Sequence, residues 1–275
     1  MAWHLTDRVA EFTANAGDFL RSRPVEHTVL LTVVDTVTAR GWRDPLFGWW
    51  RDGDDGPVTG AALRTPPFPL LVMSASGVPE LVDLLAGRPL PGVTAPAAVA
   101  EAFADAWRAR TGARTALGRR TRLFHLDRLV PPSPFPPGAP RVAGPDDRDL
   151  LMSWMDAFRV EIDGPVRGSQ VGALVDDVLS YGGATLWEVD GTPVAMATTS
   201  RPGPMVRVTG VFTPKPLRGR GYAGAATATV SRNALDAGAE HVLLFTDLAN
   251  ATSNALYQRL GYRAVQDHCE MEFTA

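Results

Sequence analysis

Lysine is almost missing from this chain: Lys215 stands alone against 26 arginines, an imbalance that reads as compositional bias and not as chemistry. Basic charge as a whole is not in excess either. The formal net charge is -3, so there is no electrostatic field of the kind that holds nucleic acid. A single cysteine, Cys269, excludes an internal disulfide and any multi-cysteine metal site; its place beside His268 in a short alternating tail reads as packing and not as a nucleophile. The five histidines (His4, His27, His125, His241 and His268) are scattered without H-E-x-x-H or other ligand spacing, so no metal is expected. No apolar run reaches the roughly 18–20 residues needed to cross a bilayer. The stretch Met1–Asp7 has no basic region leading into an apolar core, so no signal peptide is expected. These absences predict a cytoplasmic protein with neither a membrane nor a nucleic-acid partner; they leave its oligomeric state open.

What is present is ordinary globular material: 275 residues, 45% hydrophobic and 21% charged, a length comfortable for two domains. Between Leu129 and Gly144, six prolines (Pro131, Pro132, Pro134, Pro136, Pro137 and Pro140) favour a stiff extended connector over helix or sheet. The expected organisation is therefore a first domain over residues 1–130, a proline-rich linker over 131–140, and a second domain over 141–275. In the second, the pattern predicts helices at Asp146–Phe158 and Val171–Tyr181, then a hairpin of Ala184–Val189 and Pro193–Ser200 around Asp190-Gly191. A strand at Met205–Phe212 follows, then a helix at Gly221–Ala237, a strand at His241–Thr246, a helix at Ala251–Leu260 and a last strand at Ala264–Phe273. The first half echoes this order with strands at Phe47–Arg51, Val58–Thr65, Leu70–Ser74 and Thr121–Leu129 and helices at Pro79–Leu85 and Ala97–Arg110. It reads as a degenerate second copy, because nothing in it corresponds to residues 218–224.

Gly219, Gly221 and Gly224 satisfy G-x-G-x-x-G, and Asp247 at the end of the next strand stands about where a dinucleotide-binding fold places its ribose-binding acid. Two features oppose that reading. Residues 213–218 separate the glycines from their strand, and too little chain follows Asp247 to finish a nucleotide-binding half. Small residues at Gly219, Gly221, Ala223 and Gly224 do let a pyrophosphate approach the backbone, where free N–H groups and the positive end of a helix dipole bind it.

The run Arg218-Gly219-Arg220-Gly221-Tyr222-Ala223, preceded by Val211-Phe212-Thr213-Pro214, resembles the acyl-CoA signature of the GNAT superfamily of N-acyltransferases. Asn250 followed by Leu256-Tyr257-Gln258-Arg259-Leu260-Gly261-Tyr262 resembles that family's later motif. The resemblance covers Arg141–Phe273 well and the first half weakly. It implies an α/β (α+β) fold with a GNAT-like mixed, mostly antiparallel sheet flanked by helices, in two tandem copies. It also implies acetyl-CoA as co-substrate and an N-acetyltransferase that passes the acetyl group to a primary amine of a small molecule by direct attack.

On that resemblance the backbone of Val211, Phe212 and Thr213 binds the pantetheine, with the Val211 N–H facing the thioester oxygen. Residues Arg218, Gly219, Arg220, Gly221, Tyr222, Ala223 and Gly224 take the pyrophosphate. Asn250, with Asn254 one turn later, caps the last helix and holds pantetheine amides, and Tyr257 is the general acid for the departing thiolate. Glu161 and Glu188 are candidate bases, and Trp154, Phe158 and Trp187 either line an acceptor pocket or pack the core. The alternative function is a non-catalytic acyl-CoA sensor or interaction protein.

Overall fold

In the computed structural model, which describes residues 1–53, 56–74, 76–163 and 171–274, the chain runs twice through one order of elements. The first pass is β1 (Ala2–Thr6), α1 (Val9–Ser22), α2 (Thr28–Arg40), β2 (Leu46–Arg51), β3 (Val58–Arg64), β4 (Leu70–Met73), α3 (Val78–Leu85), β5 (Gly92–Pro96), α4 (Ala97–Thr111) and β6 (Arg114–Leu126). The second is β7 (Ala139–Val142), α5 (Arg148–Asp163), α6 (Val171–Ser180), β8 (Ala184–Val189), β9 (Thr192–Thr199), β10 (Met205–Phe212), α7 (Tyr222–Asp236), β11 (His241–Asp247), α8 (Ala251–Arg259) and β12 (Tyr262–Thr274). The pairing repeats as well. In each pass the first four strands form an antiparallel run, and the fourth is parallel to the fifth. The parallel step needs a crossover, supplied by α3 in one copy and α7 in the other.

The chain divides into two compact units. Unit 1 holds Met1–Leu123, Asp247–Ala249 and Val265–Ala275; unit 2 holds Phe124–Thr246 and Asn250–Ala264. The proline-rich segment therefore lies inside unit 2, and β12 begins in unit 2 and ends in unit 1. There it pairs antiparallel with β5, from His268↔Pro96 to Glu272↔Gly92.

In unit 1, Phe12, Leu20, Phe47 and Leu63 form one buried layer with α1 and α2; Val72, Leu81, Phe103 and Trp107 form another that includes Cys269 and Phe273 of β12. In unit 2, Leu151, Val175, Leu186 and Met196 fill the side of the sheet covered by α5 and α6. Val206, Val208, Ala225, Ala226, Leu244 and Tyr257 fill the side covered by α7 and α8. The run of small residues along α7 lets that helix lie close to the sheet.

Strands β1, β5 and β7 and helices α1 and α2 go beyond the sequence expectation. The expectation that the proline run cannot join a sheet is corrected at its end: Ala139 and Pro140 open β7, where Pro140 pairs with Trp187. A proline is tolerated there because β7 is the edge strand of unit 2 and one of its sides needs no N–H donor. No helix among the described residues is long and apolar enough to cross a membrane.

Candidate active site

Strand β10 carries the irregularity that opens the site. Its ladder with β9 shifts register between Val208↔Thr199 and Gly210↔Thr198, so Thr209 is an extra residue. A bulge of this kind bends the strand and moves later side chains to the other face. The packing agrees: Val206 and Val208 face the α7 side, whereas Phe212 lies in the α5–α6 layer against Trp154, ring centroids 5.9 Å apart. The parallel ladder to β11 ends at Val208↔Leu244, although β10 continues to Phe212 and β11 to Asp247. Past the bulge the two strands have separated, leaving a backbone edge with no ladder partner on the β11 side among the described residues.

That gap leads to the glycine loop. Thr213 follows β10, and its hydroxyl oxygen is buried without a hydrogen-bond partner among the described residues. Lys215–Leu217 make one tight helical turn, and then Gly219 and Gly221 take φ of +78° and +86°. Such angles are open to glycine and costly for other residues. Two left-handed glycines turn the loop amides toward the start of α7. Among the described residues no protein acceptor bonds to the N–H groups of residues 219–224, while the N–H of Ala225 returns to Gly221 O at 3.1 Å. Gly224 sits where a Cβ would come within 3.1 Å of Leu256 Cδ1, so its smallness brings α7 and α8 together.

Arg218 is held from two directions. Its Nε donates to Thr213 O at 2.9 Å, its Nη2 reaches both carboxylate oxygens of Glu161 at 2.7 and 2.8 Å, and the guanidinium lies over the Phe212 ring. Glu161, a candidate base in the sequence, is thus the counter-ion of the loop arginine. Arg220 is exposed and leans on Pro216 O at 3.4 Å. Glu188, the other candidate base, pairs with Arg141 at 2.8 Å, and Arg141 also binds Asp147 and holds that carboxyl below its ordinary range.

Asn250 caps α8, its side chain accepting the Ser253 N–H at 3.0 Å, and Asn254 Nδ2 donates back to Asn250 O at 2.8 Å. Tyr257, one helical turn further on, is buried in the α7–α8 layer between Phe124 and Tyr262. Burial pushes its phenol up to about 12. The neighbouring Tyr262 hydroxyl shares a 2.7 Å hydrogen bond with Ser231 Oγ.

The remaining candidates divide. Trp154 and Phe158 lie on α5 over the far end of β10, Phe158 beside Gly210. Trp187 does not join them: it is buried on the α7 side, stacked on Phe135 at 5.8 Å, with its indole N–H on Pro137 O. The Asp247 carboxylate accepts the Ala249 N–H and so closes a turn. Cys269 is buried, and burial raises its thiol pKa. Sequence reasoning missed the Arg218–Glu161 pair and the way the proline segment crosses the site's rear wall, Pro132 near Gly224 and Pro136 near Gly221. Phe135, an aromatic within a proline run, was the available sign of the second.

The corresponding loop of unit 1 is short and filled. The Trp3 indole donates to Gly77 O at 2.7 Å, and a Cβ on Gly77 would strike the Trp50 ring.

Residues 152–262 match the acetyltransferase (GNAT) family. No curated protein matches the chain. Among solved structures, a GNAT-family acetyltransferase from Colwellia psychrerythraea is similar over 100% of both chains, with TM-score 0.60 and 10% identity. A GCN5-related N-acetyltransferase from Sphaerobacter thermophilus is similar over 98% of this chain and 95% of its own, with TM-score 0.65 and 16% identity. A tandem GNAT protein from the clavulanic acid biosynthesis pathway is similar over 98% of both, with TM-score 0.55 and 13% identity. The mixed, mostly antiparallel fold in tandem copies that the sequence implied is therefore the fold of this chain, and the family points to acyl transfer from acetyl-CoA.

Proposed function

We propose, from the match of residues 152–262 to the acetyltransferase (GNAT) family, that the chain transfers an acetyl group from acetyl-CoA to a primary amine of a small molecule. The observation that carries this reading is the separation of β10 from β11 after Val208↔Leu244, leading into a loop whose amides meet no protein acceptor among the described residues. A diphosphate suits those amides, reinforced by the dipole of α7 and by Arg218. An extended pantetheine suits the unpaired backbone edge of residues 211–213, in the manner of an added strand.

Chemically, the neutral amine attacks the thioester carbonyl and its surplus proton leaves to solvent. The Val211 N–H stabilises the oxyanion of the tetrahedral intermediate. The C–S bond then breaks with its electron pair on sulfur, and Tyr257 donates a hydrogen bond to the thiolate. With a phenol pushed up to about 12, Tyr257 stays protonated and serves better as a donor to the thiolate than as a full proton source, since an ordinary thiol titrates near about 8.5. This reading implies the cytoplasm, where acetyl-CoA is available, and assigns unit 1 no second acyl-CoA site, in keeping with its filled loop.

The test is calorimetric binding of acetyl-CoA and of NAD, followed by thiol release across amines, aminoglycosides, amino acids and peptides. Acetyl-CoA should bind and at least one acceptor class should release CoA. Binding of NAD in place of acetyl-CoA would overturn the proposal, and acetyl-CoA binding with no release from any amine would replace it with the sensor reading.

A further inference from the structure

Arg207 is a charge that the reaction above does not use. It lies on β10 between Val206 and Val208, whose side chains enter the α7 layer, so alternation puts Arg207 on the opposite, α5–α6 side of the sheet. Hydroxyls stand on the strands beside it: Ser200 Oγ accepts the Arg207 main-chain N–H at 2.9 Å, and the hydroxyls of Thr198 and Thr209 lie 3.0 Å apart on the adjoining rungs. Thr209 is the bulge residue and is exposed, so this floor reaches solvent where the strands part.

The guanidinium is partly buried, and burial alone lowers its pKa. No carboxylate stands within ion-pair distance of it among the described residues. By contrast, Arg141 pairs with Asp147 and Glu188, Arg148 with Asp176, Arg201 with Asp177, and Arg218 with Glu161. A desolvated cation left unpaired is costly to a fold. Its planar fork of donors matches a carboxylate or a phosphate.

Resting on the acetyltransfer reading, we infer that Arg207, above the floor of Ser200, Thr198 and Thr209, is the anion subsite of the acceptor, so that the acceptor amine also carries a carboxylate or phosphate. Arg207 stands four residues before Val211, about 13 Å along an extended strand. Anion and amine of one acceptor thus lie along the strand on the α5 side, while the thioester enters through the gap.

Two measurements separate this inference from the function it rests on. Calorimetry of acetyl-CoA should give the same affinity for the wild type and for Arg207→Gln; failure of both to bind defeats the acetyltransfer reading and leaves the anion question to the second measurement. In that one, amino acids from glycine to 6-aminohexanoate, aminoalkyl phosphates, and the matching amides and plain amines are titrated into the protein with CoA present. The anionic members should bind at least ten-fold more tightly than their neutral analogues, and carboxylate against phosphate identifies the group. Arg207→Gln should erase that preference, Arg207→Lys should restore part of it, and neither should melt below the wild type. Equal binding of anionic and neutral members, no binding of either, or a preference surviving in Arg207→Gln overturns the inference.

Discussion

At the scale of single residues the site is governed by what burial and ion pairing do to a few groups. Tyr257 keeps its proton until about pH 12. Tyr257→Phe should therefore lower kcat by about 100-fold, the low end of what one hydrogen bond to a developing anion supplies, with acetyl-CoA affinity unchanged by calorimetry. In the wild type kcat should not fall between pH 8 and 10.5, where an unshifted tyrosine acid would begin to ionise. Glu161 neutralises Arg218 beside the loop amides, so its charge opposes a diphosphate there. Glu161→Gln should tighten CoA binding by about three-fold, since exposed pairs of this kind are worth up to about 1 kcal/mol; unchanged or weaker binding contradicts that placement of the phosphates. His268 is buried, and burial holds its imidazole at about 4 against an ordinary 6.5. Between those values the unfolded chain takes up a proton that the folded one refuses, so stability rises with pH from 4 to 6.5. The loss on acidification reaches about 3 kcal/mol. Melting temperatures across pH 4–7 should show this slope, and His268→Gln should reduce it, leaving what buried His27 contributes in the same sense, whereas the salt-bridged Asp267 acts below pH 4.

Among elements, glycine positions distinguish binding from architecture. At Gly219 nothing among the described residues lies within 4 Å of the point that a Cβ would occupy, so Gly219→Ala strains its own φ of +78°. It should cost about 1–2 kcal/mol of local strain and appear mainly as weaker CoA binding. Gly261 differs, because the backbone of residues 127–130 passes against it: Asp127 N–H bonds to Gly261 O, Val130 N–H bonds to Leu260 O, and a Cβ would lie 1.8 Å from Arg128 O. Gly261→Ala should lower the denaturation midpoint far more than Gly219→Ala, and a reversal of that order would contradict the packing.

The same contrast shows how much was legible. Asp190-Gly191, the alternating β10 and the run from Gly219 to Gly224 announce their structures because local turn chemistry and periodicity decide them. The cap at Asn250 was equally plain. Helices α1 and α2 were not, since their apolar stripes are diluted by threonine and alanine. Strand β7 is exposed throughout and offers no hydrophobic signal. The Arg218–Glu161 pair joins residues 57 apart in sequence, which no local pattern encodes.

For the whole molecule the repeated order of elements matters less than where its last strand goes. The arm of β12 from Val265 onward belongs to unit 1, where Cys269 and Phe273 enter the layer of Phe103 and Trp107, and Phe273 stacks on Trp107 at 5.4 Å. Removing the chain after Ala264 should therefore unfold unit 1, remote in sequence from the cut, before unit 2. Trp3, Trp42, Trp49, Trp50 and Trp107 all lie in residues 1–123, so a red-shifted tryptophan emission at temperatures where the intact chain is folded reports this. Native emission from the shortened chain would count against the shared strand.

A ribosome making this protein releases the first 123 residues well before it reaches Val265. At about 5–20 residues per second the delay is on the order of ten seconds. During that time the strand edge of β5 and the faces of Phe103 and Trp107 await a segment not yet translated. Order of synthesis and order of completion are thus reversed: residues 1–123 are made first, yet their unit closes only once the segment from Val265 has followed.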